Sequence, residues 1–422
     1  MHRKLPVVVV VAFVCVGAIA CDRPSGDASY QVTDSAGVKL VMNGTEGTWT
    51  PDQAWQFKED LRIESAEDVA GREFGILAGV AVNSRGEIFV LDRSVPNIQH
   101  FDSNGSFLGT IGGPGEGPGQ FGRMVAGVLV GAGDTLTVPD LGNMRIELFA
   151  PDGRFVRSFS LPASPDTPFL WRTLPQGQLA GQVNAMVMPG QAAEGHINVV
   201  VRLAPDGVVQ DTILSFPLDP ILDISQGPTT MKTRVFNSTA AWTTADNGLV
   251  AAGMTGEYRL SVYGADGRLR MVFAKQHEPK PVTEADRDRV TAAFKQAFEA
   301  QMAKIDNEQI RAAMTQMAGN IEFGETYPAF GAVIAGPDGT WLVRQPITAA
   351  EMAGAVSRLP AIEAPQAPPA SDVFDADGRF LGTIRFPAGF RLAAVAGGKL
   401  YGIETDSLDI PSVIRLARTT GK

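Results

Sequence analysis

The stretch FDSNGSFLGTI at residues 101–111 decides the fold, because variants of it recur along the chain. They read FAPDGRFVRSF at 149–159, LAPDGVVQDTI at 203–213, VYGADGRLRMVF at 262–273 and VFDADGRFLGTI at 373–384. Each has alternating apolar residues, a two-residue Asn-Gly or Asp-Gly turn, and a second alternating stretch. This pattern indicates a β-hairpin, because Gly readily takes the positive φ that the turn needs. Repeats of about 40–50 residues made of strands are typical of propellers and solenoids.

A second series of turns lies upstream of the hairpins and gives the number of units. There are six of these inner turns against five outer hairpins, at residues 85–86, 133–134, 176–177, 247–248, 338–339 and 397–398. One unit therefore lacks its outer strand. The sequence around residues 61–63 is similar to that around the outer strand at 107–111, so we expect 61–63 to complete the unit formed by residues 391–416.

These turns predict an all-β fold, a six-bladed β-propeller over residues 61–422 that is closed by pairing of N- and C-terminal strands. Closure removes the free sheet edge that an open array would expose. An open solenoid is the alternative.

The N-terminus has the features of a targeting segment. A basic start at residues 2–4 precedes an apolar run over 6–20, which is too short for a comfortable membrane span. The run ends in Ala18-Ile19-Ala20-Cys21, which resembles the lipobox of bacterial lipoproteins. We expect a signal peptide over 1–20, a lipidated Cys21, and a tether with an N-terminal extension over 21–60. The protein would then face the periplasm, with the inner or outer membrane left open. A plain secretory signal is the alternative.

Composition excludes several functions. The two cysteines are Cys15 and Cys21, so the mature body has no disulfide, thiolate cluster or cysteine nucleophile. The net charge of −10 argues against nucleic acid and anionic headgroups as partners. We expect a monomer without a cofactor or metal that contacts the membrane only through its lipid anchor.

The first two units resemble NHL repeats. Residues 90–121 read VLDRSVPNIQHFDSNGSFLGTIGGPGEGPGQF, and residues 138–159 read VPDLGNMRIELFAPDGRFVRSF. Together with the lipobox, they make the chain similar to the six-bladed propeller lipoproteins of bacterial envelopes. This resemblance implies a fold and a cellular location rather than an activity.

Connectivity predicts where binding takes place. In a four-stranded blade the inner and outer turns lie on one face of the ring, here called the turn face, and the long connections lie on the opposite loop face. Loops displayed on a rigid scaffold are where binding usually occurs. We therefore expect an unknown ligand or an envelope protein to bind the loop face, through residues near strand ends: Asp92, Asp140, Trp171, Gln182, Arg344 and Glu404.

Two insertions lie on the same face. Two amphipathic helices are expected over about 283–320, between blades 4 and 5, and a Pro-rich loop over about 345–371. Phe294, Phe298 and Met302 would form the underside of a lid over the tunnel mouth. Alternatively, they bury the insertion against blades 4 and 5.

An enzyme is the second hypothesis. A metal-dependent lactonase- or lyase-like propeller would need ligands such as Asp92, Asp140 and Glu404. The alternative for the two aspartates is that they cap their own loop backbones. No nucleophile or zinc-protease motif occurs in the sequence, so a non-catalytic binding module is the primary prediction.

Overall fold

Six blades, each built on four antiparallel strands, surround a central axis in the computed structural model. It describes residues 29–66, 72–162, 166–184, 197–217, 222–223, 230–303, 305–309, 312, 318–356, 370–406 and 410–420. The all-β, six-bladed propeller predicted from the turns is confirmed.

The blades follow the chain in order, and within each blade the first strand lies nearest the axis. Blade 1 comprises β4 (Leu77–Val82), β5 (Ile88–Asp92), β6 (Asn97–Phe101) and β7 (Phe107–Ile111). Blade 2 comprises β8 (Leu129–Val130), β9 (Leu136–Asp140), β10 (Arg145–Phe149) and β11 (Phe155–Ser160). Blade 3 comprises β12 (Leu170–Thr173), β13 (Leu179–Val183), β14 (Ile197–Leu203) and β15 (Val209–Pro217).

The second half of the ring repeats this arrangement. Blade 4 comprises β18 (Ala240–Thr244), β19 (Val250–Met254), β20 (Arg259–Tyr263) and β21 (Leu269–Lys275). Blade 5 comprises β23 (Ala332–Ala335), β24 (Trp341–Arg344), β25 (Ala370–Phe374) and β26 (Phe380–Arg385). Blade 6 comprises β27 (Arg391–Ala396), β28 (Lys399–Thr405) and β29 (Pro411–Thr420), with β3 (Trp55–Glu64) as its outer strand.

The ring closes as the terminal sequences predict. β3 pairs antiparallel with β29 from Glu64 opposite Ser412 to Trp55 opposite Thr420, so the pairing extends well beyond the expected 61–63. Apolar cores lie between neighbouring blades, and the core at the seam joins Ile403 and Val413 of blade 6 to Val80 and other residues of blade 1. Closure therefore buries an interface between blades as well as a sheet edge.

The outer hairpins differ in detail from the expected two-residue turns. Glycine alone has a positive φ in each of them, for example 84° at Gly105 and 84° at Gly153. The strand register shifts just before each turn, as between His100 and Phe101. This is a four-residue turn followed by a bulge, in which glycine occupies the left-handed position.

The N-terminal extension is part of the ring, which the sequence did not reveal. β1 (Tyr30–Ser35) and β2 (Val38–Asn43) form a hairpin, and β2 pairs in parallel with β21 at the outer edge of blade 4. The amides of Thr48 and Trp49 then donate to carbonyls of β26 in blade 5. With β3, residues 30–64 thus cover the outer edges of blades 4, 5 and 6 in succession.

The insertions form a small unit of helices and strands. α1 (Glu284–Met302) is capped at its N-terminus by Thr283, whose side chain accepts from the Asp286 amide, and α2 (Ala349–Val356) packs against α1. A three-stranded sheet joins the connection between blades 3 and 4, which contains β16 (Leu222–Asp223) and β17 (Thr230–Val235), to the helical insertion, which contains β22 (Ala318–Phe323).

Two of the boundaries expected for the insertions differ from those in the structure. Residues 318–320 were expected to end the helical insertion, but they belong to β22. The sequence did not reveal this strand, because its partner β17 comes from a distant loop. The second helix expected there lies largely outside the described residues, as does most of the Pro-rich segment. α2 and the start of β25 (Ala370–Phe374) occupy the described parts of 345–371.

Candidate functional site

A central tunnel of about 1190 Å³ runs along the axis and opens on the turn face. All six inner strands line it, together with residues in or next to each of the six inner turns. The walls are mostly apolar or hydroxyl-bearing, and they include Val80, Leu129, Thr173, Thr243, Ile334 and Leu392. Among the described residues, this cavity is thus reached from the turn face, which is opposite to the face that the sequence indicated.

Arg172 is the unusual residue of this tunnel. It lies on β12 among the lining residues farthest from the turns. Its Nη1 donates to the carbonyl of Trp171 at 2.8 Å, and its guanidinium lies 5.8 Å from the ring centre of Trp242. Burial lowers the pKa of Arg172, and among the described residues no carboxylate pairs with it.

The other basic residues that line the tunnel all have acidic partners. Arg85 pairs with Glu87 at 2.7 Å, and both Lys399 and Arg415 pair with Asp60, at 2.8 and 2.7 Å. These three lie at or near the mouth, where water screens their charges. Arg172 therefore differs from them in depth and in having no counter-charge within the described part of the chain.

A second arginine lies near the deep end of the tunnel. Arg344 lines a cleft of about 20 Å³ between blades 5 and 6, whose walls include Ile334 and Leu392 of the tunnel. Burial, and then the charge of Arg391, lower the pKa of Arg344 to about 10. Its Nε atom is buried without a hydrogen-bond partner among the described residues. Arg344 was among the binding residues expected from the sequence, whereas Arg172 was not.

Asp92 and Asp140 are buried and hold loop backbones. Asp92 accepts hydrogen bonds from the amides of Gly75 and Ile76, and also from that of Ser94. Asp140 accepts from the amides of Gly122 and Asn143 and from the Asn143 side chain. This geometry corresponds to the capping alternative, so a binding role for either carboxylate stays a prediction.

Three further candidates have structural contacts. The Gln182 side-chain oxygen accepts from the indole N–H of Trp242 at 2.6 Å and so links blades 3 and 4. Trp171 is buried in the core between blades 2 and 3. Glu404 forms a 2.7 Å ion pair with Arg62 of β3, within blade 6. Each contact joins neighbouring strands or blades, and a binding role for these three residues stays a prediction.

The helix α1 packs within the insertion unit. Val290 is fully buried in a cluster with Phe236, Tyr327 and Ala349, and Phe294 packs against this cluster. Met302 is buried and Phe298 half-buried. Within the described part of the chain, no residue of α1 lines the tunnel. The lid role of Phe294, Phe298 and Met302 therefore stays a prediction.

The described residues contain no group of three or more His, Cys, Asp or Glu side chains that could hold a metal ion. The carboxylates proposed as ligands for the enzyme hypothesis, Asp92, Asp140 and Glu404, lie on three different blades. In the same part of the chain, no helix has the length and apolar character needed to span a bilayer.

Comparison with known proteins gives relatives in architecture alone. No protein family and no curated protein matches the sequence. A DUF4221-family protein from Bacteroides vulgatus shares 13% identity at a TM-score of 0.49, covering 87% of this chain and 99% of its own. Aldose sugar dehydrogenase of Streptomyces coelicolor shares 11% identity at a TM-score of 0.43, and the alignment covers 88% of this chain and 100% of the dehydrogenase. Virginiamycin B lyase of Staphylococcus aureus shares 10% identity at a TM-score of 0.39, and the alignment covers 86% of this chain and 99% of the lyase.

The environment of Asp140 includes a carboxyl that should make stability depend on pH. Glu147 is fully buried, and burial raises its pKa although the Gly119 amide and Arg145 lie 3.0 Å from its Oε1 atom. The folded state therefore keeps this proton to a higher pH than the unfolded state. The stability that protonated Glu147 contributes is complete below the pKa of about 4.3 that a glutamate has in the unfolded chain. It is lost as the pH rises through the pKa of Glu147 in the folded state.

We expect Glu147→Gln to remove this loss. The unfolding free energy of Glu147→Gln minus that of the wild type should increase between about pH 4 and pH 7, measured by urea denaturation. Glu116→Gln, which removes an exposed carboxylate of the adjacent loop, controls for net charge. Parallel pH curves for Glu147→Gln and the wild type would contradict the assignment.

Proposed function

We propose that the protein is an envelope-anchored, non-catalytic binding module that holds a small ligand in its central tunnel. The open tunnel of about 1190 Å³ is the observation that carries the proposal. Ligand sites are usually concave, mostly apolar and about 300–1,000 Å³ in volume, with a few polar groups that orient the ligand. The apolar walls, the threonine hydroxyls and Arg172 correspond to that description.

The position of the N-terminal hairpin supports entry from the turn face. Tyr30 lies opposite Asn43, which lies opposite Lys275 at the end of β21 on the loop face. The eight residues from 22 to 29 can span at most about 29 Å when fully extended. A lipid on Cys21 would keep the loop face near the bilayer and leave the tunnel mouth turned toward the periplasm.

The other two hypotheses from the sequence, an envelope-protein partner and a metal-dependent enzyme, have less support. An envelope protein bound to the loop face is compatible with the same anchoring. A metal-dependent enzyme has no specific observation in its favour, because Asp92 and Asp140 already accept several hydrogen bonds and Glu404 is paired.

Blocking the tunnel mouth should abolish ligand retention. Gly131 lines the mouth with a φ of −108°, and a Cβ atom there would meet nothing closer than 3.8 Å, so the backbone admits a larger residue. Purified wild type, incubated with a small-molecule extract of the producing cells and freed of unbound solute, should retain specific compounds detectable by mass spectrometry. Gly131→Trp should lose them.

The matched control is Val156→Trp, which places the same side chain on an exposed outer strand away from the tunnel. It should retain the same compounds as the wild type. Equal retention by Gly131→Trp and wild type would refute the tunnel as the binding site.

Anchoring is tested separately by labelling. Cells grown with radioactive palmitate should incorporate label into the wild-type protein and not into Cys21→Ser, because that variant lacks the acceptor thiol. The label should partition with membranes. Label in the Cys21→Ser protein would contradict the lipoprotein assignment.

A further inference from the structure

Arg172 carries an inference about the class of ligand, and this inference rests on the proposed function. The residue lies at the deep end of the tunnel without a carboxylate among the described residues. Charged groups withdrawn from bulk water are normally paired, because an isolated charge is costly to desolvate. The protein as a whole carries a net charge of −10, so an unpaired cation in its main cavity is not explained by general composition.

The orientation of Arg172 is fixed while part of it remains available. One guanidinium nitrogen donates to the Trp171 carbonyl, and the Trp242 ring lies beside the guanidinium. Trp242 is itself fixed, because its N–H donates to Gln182. The other guanidinium N–H groups have no protein acceptor among the described residues. A held arginine with free donors is suited to a planar carboxylate or another oxyanion.

Arg344 adds a second positive charge to that of Arg172. Its cleft shares Ile334 and Leu392 with the tunnel wall, so its guanidinium lies close to the deep end. The wall between the deep end and the mouth is mainly apolar, with Val80, Leu129 and Val395 among its residues. The tunnel therefore has a positive inner end and an apolar middle.

We propose that the tunnel binds an organic anion with its charged head on Arg172 and its apolar body along the wall toward the turn face. Arg344 favours the anion through its field without needing to touch it. No bond is made or broken, and the selectivity between an anion and its neutral analogue comes from Arg172.

Two dyes with the same ring system test this proposal. 1-Anilinonaphthalene-8-sulfonate is an anion with an apolar body, and N-phenyl-1-naphthylamine lacks the sulfonate. Fluorescence titration of the wild type should give tighter binding of the anionic dye. Arg172→Met should weaken its affinity about ten- to a hundredfold, the usual effect of losing a charge-assisted hydrogen bond, and change that of the neutral dye less than about twofold.

Three further variants make the outcome interpretable. Arg268→Met removes one arginine that is 81% exposed and should leave both affinities unchanged. Arg172→Lys should recover only part of the anion affinity, because lysine lacks the planar fork. Gly131→Trp should lose both dyes. Thermal unfolding of each variant, followed by circular dichroism, confirms that it is folded.

Each contrary result has a separate meaning. If Arg172→Met weakens both dyes equally or neither, or if the wild type does not bind the anionic dye, anion recognition by Arg172 is wrong. The tunnel as a binding site survives that result if Gly131→Trp still loses the neutral dye. If Gly131→Trp binds both dyes like the wild type, the dyes do not use the tunnel, and both the inference and the proposed function fail.

Discussion

The pairing of β3 with β29 is the interaction on which the rest of the molecule depends. The apolar cores of the ring lie between neighbouring blades, so an open ring would expose the faces of blades 1 and 6 as well as a sheet edge. The hydrogen bonds of this seam join residues more than 300 positions apart. Closure also fixes the tunnel, because its wall needs the inner strands of all six blades at one distance from the axis.

The N-terminal segment extends this closure over half of the ring. Before reaching blade 6 it covers the edges of blades 4 and 5, and Asn43 donates to the Gly378 carbonyl and accepts from the Phe380 amide of blade 5. The same segment leads to the expected lipid anchor, so the proposed orientation of the tunnel follows from the strand pairing. Arg172, which has no carboxylate partner among the described residues, lies at the end of that tunnel and gives the binding proposal its chemical content.

The sequence predicted features that depend on local geometry and missed those that depend on distant partners. The inner turns were found because positive φ favours glycine, as at Gly86 and Gly248. The parallel pairing of β2 with β21 leaves no local pattern. Asp92 allowed a capping and a binding interpretation, and only its three amide donors favour capping. Arg172 belongs to no motif in the sequence, and its significance lies in the lack of a carboxylate partner among the described residues.

A disulfide across the seam tests the closed ring most directly. Lys58 and Ala417 are partners in the β3–β29 register, and the two cysteines of the sequence are Cys15 and Cys21. In a Cys15→Ser, Cys21→Ser background, Lys58→Cys with Ala417→Cys should oxidise within one chain, with loss of both new thiols and faster migration on a non-reducing gel. Lys58→Cys with Thr419→Cys, two residues out of register, should form little disulfide. Free thiols, or disulfides only between chains, in the first variant would contradict the closed ring and the tunnel that depends on it.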